Sequence, residues 1–122
     1  MDRLRFMLAG NATFTIVSKK TGVRFTYKVK ASKDVHFVSL LTSPDEYTFL
    51  GTIFEGSKFV YGRRSLIAID APSVQAFTWF WQDVETPRVD FFHAGKCGRC
   101  GRELTVPESI ESGLGPECAK RA

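Results

Sequence analysis

The chain has three cysteines, and all lie close together: Cys97, Cys100 and Cys118. A secreted disulfide framework uses an even set spread through the chain, so an odd, clustered set points elsewhere. Two residues between Cys97 and Cys100 is the spacing of a metal knuckle, in which two thiolates and the N–H groups of a tight turn converge on one ion. Gly98 and Gly101 supply the backbone freedom and small bulk that such a turn requires. Seventeen residues separate Cys100 from Cys118. Thr105 and Glu108 stand in capping-box positions for a short helix that Gly113 ends. Gly115-Pro116 then opens a second helical turn with Cys118 at its start, where free N–H groups favour a thiolate. A structural zinc site takes four ligands, and three are in hand.

His93 is the expected fourth. Three residues separate it from Cys97, and it stands at the end of a short strand, Val89 to Phe92, that delivers the chain to the knuckle. His36 lies within a strand of the main body. Glu117 or Glu108 are the remaining options, since carboxylates also ligate zinc. A thioredoxin-like redox pair fits less well, because this CxxC is flanked by glycines and arginines and has a third cysteine downstream. An iron–sulfur cluster more often takes four cysteines. A catalytic zinc keeps an open position beside a general base. With His93 bound every position is filled, so the expected role is structural.

Ahead of the tail the pattern is that of strands. Ala12 to Ser18 alternates threonine with apolar residues, and Lys19-Lys20-Thr21-Gly22 is a turn. Val23 to Lys30 alternates strictly: Val23, Phe25, Tyr27 and Val29 share one face, Arg24, Thr26, Lys28 and Lys30 the other. His36 to Leu41, Tyr47 to Phe54 and Lys58 to Tyr61 follow, separated by turns. Asp70 can cap a helix with Pro72 in its first turn. Val74, Phe77, Phe80 or Trp81, and Val84 recur at helical spacing, which predicts an amphipathic helix over 71–84. Its aromatic stripe suits a core-covering face better than a ligand box. The expectation is an α+β fold: an antiparallel sheet of about five strands packed on one amphipathic helix over residues 1–88. Residues 89–122 form a small zinc-knuckle or treble-clef-like module.

Charge is uneven. The net is +4, but residues 1–33 hold eight basic side chains against Asp2, net +7. Residues 34–95 hold four basic against eight acidic, net −4. A basic front points to a polyanionic partner or a charged interface, or to a solvated strand face. No stretch approaches the roughly 20 apolar residues of a membrane span. The first ten residues make a poor signal peptide and lead straight into strand-like sequence, so a cytoplasmic location is expected.

Residues 93–118 resemble a short cysteine-rich module of unknown function found in many phage and bacterial proteins. Its pattern runs His, Cys-Gly-Arg-Cys-Gly-Arg-x-Leu-Thr, Glu-Ser-Ile-x-x-Gly-x-Gly-Pro-x-Cys. Cys97 to Thr105, Glu108-Ser109-Ile110 and Gly113 to Cys118 match it element by element. The front, Ala9 to Thr15 and Thr21 to Thr26, is similar to small phage-encoded proteins that carry the same tail. The resemblance implies a zinc module and a phage or prophage origin, hence the host cytoplasm, and no particular activity.

For function, the basic residues Lys19, Lys20, Arg24, Lys28, Lys30, Arg63, Arg64, Arg99 and Arg102 point to DNA or RNA, because phosphates reward clustered cations through counterion release. Exposed aromatics on that sheet would add single-strand stacking. The alternative is a protein-binding factor acting on a host complex, such as an anti-defence or takeover protein, using the basic front or the acidic middle. No nucleophile–base pair, phosphate-binding glycine loop or small-molecule site is evident, and only Asp34 with His36 keeps an acid–base option open. An enzyme is not expected.

Overall fold

Six stretches of alternating sequence pair into one antiparallel sheet. They are Asn11–Ser18 (β1), Arg24–Ser32 (β2), Val35–Ser43 (β3), Glu46–Phe54 (β4), Lys58–Tyr61 (β5) and Val89–His93 (β6). Their order across the sheet is β5-β4-β3-β2-β1-β6. The structure, a computed structural model, describes residues 2–100 and 113–114. The first five strands are the meander that the alternation predicts. The sixth, expected to lead into the tail, is a strand of the body's own sheet: it pairs with β1 from Ser18↔Val89 to Phe14↔His93. That pairing satisfies backbone groups of β1 that would otherwise form an open edge.

Two helices accompany the sheet. The first, Arg3–Met7 (α1), stands where the sequence was expected to run directly into a strand. Asp2 caps it by accepting from the Arg5 N–H at 3.0 Å, and Phe6 and Met7 are fully buried. Five residues are too few to show helical periodicity, and burial supplies what an isolated short helix lacks. The second helix, Pro72–Gln82 (α2), is shorter than the 71–84 expected. Its N-cap is Ala71, not Asp70, with no side-chain cap. Val74, Phe77 and Phe80 are buried, as the aromatic stripe predicts.

Cross-strand register sorts the residues into two faces. Ala12, Val29 and Val38 form one inner row, and Phe14, Tyr27 and Leu40 the next. These residues share one buried cluster with Phe6, Met7, Val74, Phe77 and Phe80. Tyr27 is at its centre: its ring lies 5.1 Å from Phe77 and 5.9 Å from Phe14. Its hydroxyl donates to the Ser73 carbonyl at 2.7 Å, so the buried polar group is satisfied. Burial pushes the Tyr27 phenol well above its ordinary pKa.

Arg3 closes the far side of this core. Its guanidinium donates to the carbonyls of Val84, Thr86 and Val89 at 3.0–3.1 Å and stacks 5.5 Å from the Phe91 ring. One of the eight cations of the basic front is thus a structural staple holding the α2–β6 connection. Among the described residues, no helix is long and apolar enough to cross a membrane.

Candidate functional site

The knuckle turn is seated on the N-terminal segment. The Gly98 N–H donates to the Gly113 carbonyl at 2.7 Å, and the Gly98 carbonyl accepts from the Asn11 N–H at 2.6 Å. A Cβ at Gly98 would meet the Phe6 ring at 2.7 Å and the Phe6 carbonyl oxygen at 3.1 Å, so only glycine fits against α1. Gly10, at φ +135°, allows the same closeness from the other side, where its Cβ would lie 3.4 Å from the Arg99 carbonyl oxygen. Cys97 is fully buried with Leu114, and Ala9 packs on both. The Arg99 N–H donates to the Cys97 sulfur at 3.4 Å. The sequence shows only the turn chemistry of Gly98; its contact with α1 is tertiary and leaves no local signal.

The other expected ligands are placed as follows. Cys100 is exposed at the end of the turn. His93 ends β6 opposite Phe14, on the inner side of the sheet, with its ring 5.7 Å from Phe6. Its Nδ1 accepts from the Gly95 N–H at 3.0 Å. In that arrangement Nε2 carries the proton, so metal ligation through either nitrogen requires this hydrogen bond to be exchanged. Cys118, Glu108 and Glu117, the capping box at Thr105, and Arg102 lie outside the described residues. Among the described residues, no group of three or more His, Cys, Asp or Glu side chains converges to hold a metal ion. The donor chemistry of Cys97, a buried thiol with a backbone N–H on its sulfur, fits a metal thiolate. His36 is held within the body: its Nε2–H donates to the Leu8 carbonyl at 3.0 Å. That bond removes one of the two ring nitrogens from the acid–base option with Asp34.

The basic residues fall into separate groups. Lys28 and Lys30 lie on the outer face of the sheet. Lys30 is opposite Asn11 and Phe37, and Phe37 is opposite Thr52; Lys28 is opposite Thr13 and Ser39, and Ser39 is opposite Phe49. Arg24 begins the same strand face, opposite Val17. Lys28 Nζ sits 5.4 Å from the Tyr47 ring centroid, and Phe37 meets Phe49 edge-on at 6.1 Å. Phe37, Tyr47, Phe54 and Phe92 are all exposed. Phe92 belongs to this face because it pairs with Thr15, which pairs with Thr26. Strand parity carries a signal for these aromatics, but only the fold shows which face the helices bury. Lys19 and Lys20 are at the hairpin turn, where Lys19 pairs with Asp90 at 3.6 Å. Arg63 and Arg64 are exposed after β5, and Arg99 is half-buried against Gly10.

Residues 88–122 match a family of unknown function, DUF6011. The match begins just before β6 and runs through the knuckle, leaving the five-strand meander and both helices outside it. No curated protein and no solved structure matches the chain.

Proposed function

We propose that this is a small accessory protein that binds nucleic acid through the outer face of its sheet, with the tail folded around one structural zinc ion. The observation that carries the reading is the company of Lys28 and Lys30. They share their face with exposed Phe37, Tyr47 and Phe92, so cations for phosphates and flat rings for bases occur together. Arg24 extends the basic row. This combination suits a single strand, whose bases are free to stack, better than a duplex. The zinc ligands in this reading are His93, Cys97, Cys100 and Cys118. The ion stabilises the fold and has no part in chemistry, and the reading assigns no catalytic residue. A phage-encoded protein working in the host cytoplasm belongs to the same proposal.

The test is binding of a labelled oligothymidylate and a duplex of equal length across a salt series. The expected result is tighter binding of the single strand, with affinity falling log-linearly in salt. Absence of binding at low salt, or binding indifferent to salt, would sink the proposal. For the metal, analysis of the purified chain should find near-stoichiometric zinc, lost in Cys97→Ser and Cys118→Ser. Full zinc in Cys118→Ser would refute that ligand.

A further inference from the structure

The alternation of residues 23–30 assigns Val23, just before β2, to the core face, yet 51% of its surface is exposed. The reason is a groove of about 410 Å³ between the β1–β2 hairpin and α2. Ile16, Val23, Phe25, Ala76, Trp79 and Val89 line it. Trp79 is exposed and turned away from the stripe that α2 buries. Two hydroxyls of the lining accept hydrogen bonds within the turn. Ser18 Oγ accepts from the Thr21 N–H at 3.3 Å, and Thr21 Oγ1 accepts from the Val23 N–H at 3.2 Å.

The rim has a different character. An adjoining hollow shares Trp79 and Ser18 with the groove and is lined by Lys19, Lys20 and Arg88. Lys19 is partly neutralised by Asp90. Lys20 and Arg88 are exposed and form no ion pair with the described residues. Asp83 and Arg88 both line a third hollow that also borders Trp79.

We propose that this groove binds an acidic peptide segment of a partner protein, with one large apolar side chain seated against Trp79 and flanking carboxylates on Lys20 and Arg88. The apolar lining decides between this occupant and a nucleotide. A base in the groove would set most of its polar edge against the apolar side chains of Ile16, Val23, Phe25 and Val89, which is unfavourable, whereas an apolar side chain carries no such penalty. The cations at the rim then select for acidic neighbours of that side chain and speed encounter. The site is separate from the outer sheet face: Phe25 and Val23 face inward, while Lys28 and Lys30 face outward. One small domain thus has a nucleic-acid face and a protein-docking groove on opposite sides of β2.

The probe is a fluorescently labelled heptapeptide of aspartates and glutamates around a central phenylalanine-leucine pair. Its control carries two serines at the centre. Anisotropy titrations of the full chain should show binding of the first peptide and at least about tenfold weaker binding of the second. Trp79→Ala and the Lys20→Glu/Arg88→Glu pair should each weaken the first peptide by about tenfold or more. Lys28→Glu/Lys30→Glu should leave peptide affinity unchanged while reducing oligothymidylate binding. Circular dichroism on Trp79→Ala checks that the fold persists, and Val23→Asp, which puts a charge into the lining, should weaken the first peptide likewise. Equal affinity for the two peptides overturns the proposal. So does displacement of the peptide by oligothymidylate with both weakened alike in Trp79→Ala, which would make the groove part of the nucleic-acid path.

Discussion

Tyr27 and Val29 are fully buried, while Lys28 and Lys30, their immediate neighbours on β2, line the outer face. The aromatic residues divide in the same way. Phe14, Phe77 and Phe80 lie in the core cluster, whereas Phe37, Tyr47 and Phe92 are exposed. The contrast teaches that aromatic richness in this chain is two populations with separate consequences. Inner rings contribute stability in proportion to the surface they remove from water. Outer rings contribute little to stability and present flat apolar surface that water solvates poorly.

Mutation can break the comparison or sharpen it. The largest effect is expected inside: Phe77→Ala leaves a cavity against Tyr27 and Phe59 and should destabilise by about 3–5 kcal/mol in denaturant unfolding. Phe92→Ala and Phe37→Ala should each change stability by only about 0.5 kcal/mol or less. In oligothymidylate titrations each should lose about 1–3 kcal/mol of binding where the ring stacks on a base. A stability loss in Phe92→Ala as large as in Phe77→Ala would erase the distinction between the faces. Lys28→Glu/Lys30→Glu should leave unfolding nearly unchanged and lower the slope of log K against log salt by about 1.4, two phosphate contacts on a single strand.

The polar anchor of the inner face is tested through pH. An unfolded tyrosine ionises near pH 10, while buried Tyr27 keeps its proton to higher pH. Its contribution is therefore fully present below about pH 10 and declines as pH rises beyond it, by at most ~1.4 kcal/mol per pH unit. Tyr27→Phe should remove that part of the alkaline loss. It should also cost about 1 kcal/mol at neutral pH by leaving the Ser73 carbonyl without its donor. An unchanged alkaline limb in stability-against-pH curves would show that the phenol is not the group responsible.

Much of the fold was legible because strand alternation is a local, period-two signal. Val23 to Lys30 announced both faces of β2, and the spacing of Val74, Phe77 and Phe80 announced the buried stripe of α2. The misreadings have local causes too. Asp70 looked like a helix cap, but the helix starts one residue later at Pro72, whose ring pre-sets the backbone without a side-chain cap. Helix α1 leaves no mark in the sequence because five residues cannot display a helical period. Arg3 counted as surface charge until its three carbonyl partners, all more than 80 residues away in sequence, came into view.

The candidate sites divide along the same line. Cysteine spacing singled out the Cys97–Cys100 turn as a candidate, and a basic alternating strand singled out Lys28 and Lys30, because both are patterns of near neighbours. That Phe6 and Gly10 form the knuckle's seat, that β6 returns to pair with β1, and that Phe37, Tyr47 and Phe92 share the exposed face with the lysines were decided by tertiary structure. Those facts depend on contacts between residues distant in sequence and on which sheet face the helices bury. The sequence by itself determined which residues alternate and which thiols stand two apart. Only the packed chain decided which alternating face is open, because burial belongs to the whole assembly of elements and not to any one strand.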